Sequence, residues 1–454
     1  MLRSMMFAAL LAGTAVPVAA APSRSEQAAG ARDHALAKSE AFAILEDLTT
    51  SVGQRLAGTA AETRGRDWAV KAMQAAGLVN IKVEPFPVPG WERGAESAEI
   101  IGSHTQKLAI AALGFSGATP PEGITAPVTY FADYKALEEA APGSLAGKIA
   151  FIDHRMMRTQ DGSSYGTNGP VRRAGPALAQ SKGAVAVLIR SLGTGSARAP
   201  HTGSTVTAQG ITPIAAAALA VPDAEQLARL LQRGPVTIKL VSTPRFNPNA
   251  MSANVSGEIP GTSAETIVIG GHLDSWDLAQ GVIDDGAGVA ITLTAAKTIH
   301  DLGLKPRRTI RVVFWGAEEF GAYGGRAYAE AHKADNIVLA AESDFGADRV
   351  WRVSSKVAET GLPLIAEINR ALGPIGVAPT RNNTADGGAD NGPLGAQGVG
   401  ILELEQDGTR YFDLHHTPDD TLAQIDRAQL DQNVAAWAAA VWLAASDDRP
   451  LRTK

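Results

Sequence analysis

From Thr266 to the C-terminus, short apolar runs alternate with helical patterns, and this alternation constrains the fold more than any other feature of the chain. Ile267–Gly270, Thr309–Trp315, Ile337–Ala341 and Val399–Glu405 read as strands. Gly288–His300, Arg326–His332 and an amphipathic pattern over Ala428–Ala445 read as helices. Strands that alternate with helices pair in parallel through helical crossovers. The expected fold is therefore α/β, with a mostly parallel central sheet flanked by helices. Open sheets of this kind place their sites beyond the carboxyl ends of the strands.

The residues at those ends are of metal-binding types. His272 and Asp274 follow the first strand, Glu318 and Glu319 the second, and Asp344 the third, while His416 follows the fourth after a loop. The chain has no cysteine, so any metal must be held by His, Asp and Glu, a set that suits zinc. Asp284 sits in a Gly-flanked turn at the start of a helix. Its two carboxylate oxygens suit it to bridge two metals about 3.5–4 Å apart. Asp274 is within reach of the second ring nitrogen of His272. Adjacent Glu318 and Glu319 point differently, so one can ligate metal while the other accepts a proton from the bound water. Taken singly, each feature has a plain reading as a core histidine, a helix cap or a solvated helix start. Taken together, four strand ends carrying ligand types argue for a two-zinc site that hydrolyses amide bonds. No phosphate-binding glycine motif follows a strand here. Ser275 has no Ser-His-Asp context. His201, in Pro200-His201-Thr202-Gly203, reads as a solvated loop histidine.

The 454 residues, 45% hydrophobic and 19% charged, allow two domains or one large domain with an insertion. Residues 1–21 read as a secretory signal peptide: Arg3, an apolar run from Met5 to Val18, then small residues for cleavage. Residues 22–37 read as a flexible leader or pro-segment. Helical patterns follow over Ser39–Val52 and Ala60–Ala76, and then a strand over Ile81–Glu84, which Pro85, Pro87 and Pro89 are expected to end. Pro120-Pro121 marks the break between the first part of the main domain, 38–120, and an inserted α/β module, 121–247, in which Val171–Lys182 reads as a helix. The main domain resumes over 248–454. The net charge of −6, without basic blocks, argues against a nucleic-acid partner. No stretch is long and apolar enough for a membrane span.

Trp91-Glu92-Arg93-Gly94, Pro120-Pro121-Glu122-Gly123-Ile124-Thr125, Gly271-His272-Leu273-Asp274-Ser275-Trp276-Asp277, Glu342-Ser343-Asp344 and the His415-His416 segment resemble the co-catalytic dizinc exopeptidases, the aminopeptidase and glutamate carboxypeptidase family. The resemblance runs from about Ser39 to the closing helix. It implies a zinc exopeptidase fold and a protease-associated-like insertion. It also implies that His272 and Asp344 bind one zinc, Glu319 and His416 the other, and that Asp284 bridges them. Glu318 would be the general base, and Asp274 would orient His272. A cis Asp284–Asp285 peptide, a homodimer and a removable pro-segment are further implications. His415 stands where many relatives carry a tyrosine that steadies the oxyanion, and an imidazole N–H can do the same. The Gly387-Gly388-Ala389-Asp390-Asn391 loop matches only loosely, and no Arg or Lys cluster is present to grip a glutamate side chain.

The expected protein is a secreted or periplasmic metallo-exopeptidase with two zinc ions per chain. Its substrates would be dipeptides or short peptides, cleaved in carboxypeptidase or dipeptidase fashion. Three alternatives stand beside it: aminopeptidase polarity, a non-catalytic receptor-like relative, and a single-zinc glutaminyl cyclase.

Overall fold

The computed structural model describes residues 22–453, so the expected signal peptide, 1–21, lies outside the described residues. The described residues build two sheets. The strands of the first are β1 (Val79–Glu92), β2 (Arg245–Ile259), β3 (Thr266–His272), β4 (Thr309–Trp315), β5 (Ile337–Glu342), β6 (Val350–Lys356) and β7 (Gly400–Gln406). Their order is β1-β2-β4-β3-β5-β7-β6. The central four, β4, β3, β5 and β7, run parallel, and the outer pairings are antiparallel. The α/β expectation holds, with a parallel centre and antiparallel flanks. β3 is buried along its whole length, as a strand covered on both faces must be. The helix Ala287–Asp301, which follows β3, packs on it from one side.

Three differences from the sequence reading have physical causes. β1 does not end at Pro85 but continues to Glu92. It is an edge strand, paired with β2 on one side only. Pro85 and Pro87 share the period of two, which lets both nitrogens face the unpaired edge, where a missing N–H costs no ladder bond, and Pro89 sits at the register shift between Val88 and Gly90, where a proline is also tolerated. The segment expected to be a leader contains a helix, Arg24–Lys38, opened by a capping box between Ser23 and Glu26. Its Ala28, Ala31 and Ala35 are buried, packed on the closing helix Arg427–Ser446, and Arg24 is ion-paired to Asp447 at 2.6 Å. That contact explains the third difference. The closing helix was expected to be amphipathic, yet it is buried nearly all round, with Trp437 and Trp442 in the core, because the N-terminal helix covers its outer side.

The second sheet has eight strands, beginning with Glu96–Ile101 and ending with Thr237–Ser242. Gln106–Leu108 and Ile110–Ala112 belong to it, so this module starts ahead of the Pro120-Pro121 turn at which the sequence suggested a break. The helix expected over Val171–Lys182 is two helices, Ser163–Arg173 and Gly175–Ser181. Among the described residues, no helix is long and apolar enough to cross a membrane.

Candidate metal centre

β3 delivers His272 at its last residue. The His272 main-chain N–H donates to Asp285 Oδ2 at 2.9 Å, and Asp285 Oδ1 accepts from Gly288 N at 3.0 Å. Asp285 is fully buried and thus ties the strand end to the start of the following helix. The Asp284–Asp285 peptide is cis, as the resemblance implies. The turn carrying Asp284 is held from behind by Asp420, whose Oδ1 accepts from Val282 N at 2.9 Å and Ile283 N at 2.7 Å. Arg55, also fully buried, donates to the carbonyls of Leu273 at 2.6 Å and Gly281 at 2.9 Å. It closes the loop that leads from His272 to Asp284.

Asp274 serves in two ways. Its main-chain carbonyl lies 2.9 Å from His272 Nδ1, so the ring is oriented by backbone, with the Asp274 carboxylate farther off at 3.6 Å. That carboxylate instead accepts the N–H groups of Glu318 at 3.0 Å and Glu319 at 3.3 Å. One residue therefore sets both the imidazole and the glutamate pair.

The donor atoms converge on Asp284. His272 Nε2 is 3.2 Å from Asp284 Oδ1 and 3.4 Å from Asp344 Oδ1. On the other side, His416 Nε2 is 3.1 Å from Asp284 Oδ2 and 2.9 Å from Glu319 Oε2. The structure thus brings together all five residues expected to bind metal: His272, Asp284, Glu319, Asp344 and His416. Their arrangement fits zinc. Ligand atoms about 2.0–2.2 Å from a tetrahedral ion stand about 3.3–3.6 Å from one another, close to the spacings here. Asp284 Oδ2 and Glu319 Oε1 are buried without a hydrogen-bond partner. Asp284 Oδ2, 3.1 Å from His416 Nε2 yet unsatisfied, and the buried, unpaired Glu319 Oε1 are the kind of orphaned oxygens that a bound cation would satisfy.

The remaining expected residues adjoin this cluster. Glu318 is partly exposed, and desolvation, with the charges of Asp344 and Glu319 nearby, pushes its carboxyl well above the usual carboxylate range. His415 is buried and stacked on His416, ring centroids 3.6 Å apart. Its Nε2 is 3.4 Å from Asp284 Oδ2. Burial and the neighbouring His416 hold the His415 imidazole well below its ordinary pKa. Burial alone would raise the Asp284 carboxyl, but His415 and the hydrogen bonds of His272 and His416 keep it well below its ordinary value.

His201 is not the solvated loop histidine that the sequence suggested. It is fully buried and stacked against His416 at 5.1 Å. Its loop, on the second module, reaches into the centre. Thr202 N donates to the His416 carbonyl at 3.0 Å, and the Thr202 carbonyl lies 3.2 Å from His416 Nδ1. Ser204 Oγ donates to the Glu319 carbonyl at 2.7 Å. Arg172, which sequence reasoning did not find, is buried with Nη1 2.9 Å from His201 Nε2 and 3.3 Å from the Thr202 carbonyl. An arginine in the last turn of a helix carries no local signal of such a place.

Comparison with known proteins agrees with this geometry. The model of peptidase family M28 matches residues 254–441. The chain is 34% identical over 420 residues to carboxypeptidase Q of Bos taurus, covering 91% of this chain and 87% of that one. It superimposes on a peptidase M28 precursor of Shewanella amazonensis with a TM-score of 0.92 and 42% identity, covering 94% and 98% of the two chains. A zinc aminopeptidase of Bacillus subtilis, 20% identical, shares the fold with a TM-score of 0.65 over 91% and 95% of the chains. Clustered ligands at the strand ends, a glutamate beside them and relatives aligned over nearly the whole described chain place this protein: it belongs to peptidase family M28 and is a metallopeptidase.

Proposed function

We propose that this metallopeptidase is a secreted or periplasmic exopeptidase that uses two zinc ions per chain to cleave dipeptides or short peptides, with carboxypeptidase or dipeptidase polarity. The observation that carries the reading is the division of Asp284, with one oxygen toward His272 and the other toward His416. His272 and Asp344 would hold one zinc, Glu319 and His416 the second, and Asp284 both. When bound, such a pair lowers the pKa of a water and polarises the peptide carbonyl. Glu318 then takes the proton of the attacking water and returns it to the leaving amine. Its raised pKa suits both transfers, because a base poised nearer neutrality can also act as the acid. His415, stacked on His416, offers an N–H to the oxyanion. Similarity to carboxypeptidase Q supports carboxypeptidase polarity, and the resemblance read from the sequence implies a homodimer. The apolar N-terminal run supports export.

The same centre could serve an aminopeptidase, and substrate blocking separates the polarities. Purified protein is assayed on free, N-acetylated and C-amidated dipeptides, before and after a chelator, with zinc measured on the same sample. Chelator-sensitive cleavage of free dipeptides with two zinc ions per chain is expected. N-acetylated substrates should survive as substrates if the polarity is that of a carboxypeptidase. A protein that holds two zinc ions and cleaves no dipeptide would overturn the exopeptidase reading, and one that holds no metal would favour a binding role.

A further inference from the structure

Beside Asp344 lies a cavity of about 270 Å³ whose wall includes six carboxylates: Asp161, Glu342, Asp344, Asp386, Glu403 and Glu405. No Lys, Arg or His lines it. Two of the six are already engaged. Asp344 faces His272 at 3.4 Å, and Glu405 is paired with Arg352 at 2.6 Å. The other four have no basic side chain within ion-pair distance among the described residues.

Glu342 points to a missing partner. Its Oε2 is fixed by the N–H groups of Asp390 and Asn391, both at 3.1 Å. Its Oε1 is buried and has no hydrogen-bond partner. A carboxylate oxygen held in place, shielded from water and left unpaired costs free energy that a cation would offset. Glu403 Oε1 accepts from Asp386 N at 3.1 Å and Gly387 N at 2.8 Å, so the loop forming one wall is itself anchored. Gly388, at φ +66°, keeps that wall clear: a Cβ there would stand 2.9 Å from Glu342 Oε2. Phe345 and Leu404 supply apolar surface.

We propose that this recess is a subsite for a cationic side chain of the substrate, the ammonium of lysine or the guanidinium of arginine. The proposal rests on the exopeptidase reading above. An extended organic cation fits better than a metal ion, because the clusters compact enough to hold an ion centre on His272 and on the His201, His415 and His416 trio, not on these carboxylates. The aliphatic stem lies along Phe345 and Leu404 while the charge reaches the carboxylates, and the Phe345 ring adds cation–π attraction. A glutamate side chain in the same recess would meet carboxyl groups and no basic side chain, in keeping with the absence of an Arg or Lys cluster in the sequence.

The test uses the zinc-loaded full-length protein. kcat/KM is measured for Lys-Ala, Arg-Ala, norleucyl-Ala and Glu-Ala, and for the reversed Ala-Lys, Ala-Arg, Ala-norleucine and Ala-Glu. At one of the two positions, lysine and arginine are expected to exceed norleucine at least tenfold, with glutamate the poorest. Asp161→Asn and Glu403→Gln, on different modules, should each lower the lysine-to-norleucine ratio several-fold. The glutamine retains an oxygen for the Asp386 and Gly387 N–H groups. Lysine and norleucine within twofold of each other at both positions overturns the subsite while leaving the exopeptidase reading intact. If no dipeptide is cleaved, the exopeptidase reading fails. Calorimetry with free L-lysine and L-norleucine then decides the recess, and equal or absent binding of the two overturns it.

Discussion

Arg93 and Asp277 form a bidentate ion pair, Nε to Oδ2 and Nη2 to Oδ1, both at 2.8 Å. Each belongs to one of the motif segments that carry the family resemblance, Trp91–Gly94 and Gly271–Asp277, so the pair joins those segments in space. Arg93 reaches further, to Thr202 Oγ1 at 3.1 Å and the Ala112 carbonyl at 2.7 Å, and so ties the His272–Asp277 segment to the second module. Both side chains are mostly buried. Removing one partner of such a pair leaves a desolvated charge and costs about 3–5 kcal/mol. Arg93→Gln is therefore expected to lower the unfolding free energy by about that much in urea titrations followed by tryptophan fluorescence. A loss below about 1 kcal/mol would show that the pair does not hold the modules together.

Glu318→Gln preserves side-chain size and removes the base. Two zinc ions per chain should remain, because the five converging ligands are untouched, while kcat falls by about 10²–10⁴-fold. Metal analysis and steady-state kinetics on one preparation check this. Near wild-type turnover would sink the assignment of Glu318.

Arg172 Nη1 at 3.3 Å and the Thr202 carbonyl at 3.2 Å flank His416 Nδ1, the ring nitrogen away from Asp284. Groups that orient a metal-binding imidazole are worth about 10–100-fold in affinity. Arg172→Gln is expected to weaken one of two zinc-binding steps by that factor, in competition with a fluorescent chelator, and to leave the other step within about threefold. Two unchanged steps would mean that Arg172 plays no part in holding His416.

Parts of the molecule were legible in the sequence because their signals are local. Thr309–Trp315 was read residue for residue, since a strand buried among helices must be a short apolar run bounded by polar residues. His272, Asp284, Glu319, Asp344 and His416 were legible because ligand types recur just past strand ends. His201 and Arg172 were not, because a buried histidine in a polar loop looks like a solvated one until another element covers it. The Arg24–Lys38 helix was missed because alanines bury little area each, and their stripe shows only against a partner helix. The prolines of β1 misled for a related reason: whether proline ends a strand depends on which edge is paired, and neighbours far along the chain decide that.

His332 offers a pH-dependent contribution to stability away from the metal centre. Its Nε2 lies 3.1 Å from both carboxylate oxygens of Glu84 on β1, and its Nδ1 is 2.9 Å from Asp335 Oδ2. The hydrogen bond with Glu84, and then the one with Asp335, raises the His332 pKa against the opposing effect of burial, while the bond with His332 lowers that of Glu84. A raised histidine pKa stabilises the fold fully below its unfolded value, about 6.5, and that stabilisation is lost as pH rises through the folded value. The lowered Glu84 pKa contributes above its unfolded value, about 4.3, and that contribution is lost as pH falls through the folded one. The pair is therefore most stabilising between about pH 4.5 and 6.5. Urea titrations of wild type and His332→Gln should differ most near pH 5.5 and converge by about pH 9. A difference between the two proteins that stays constant over that range would mean that His332 holds its place by packing and not by charge.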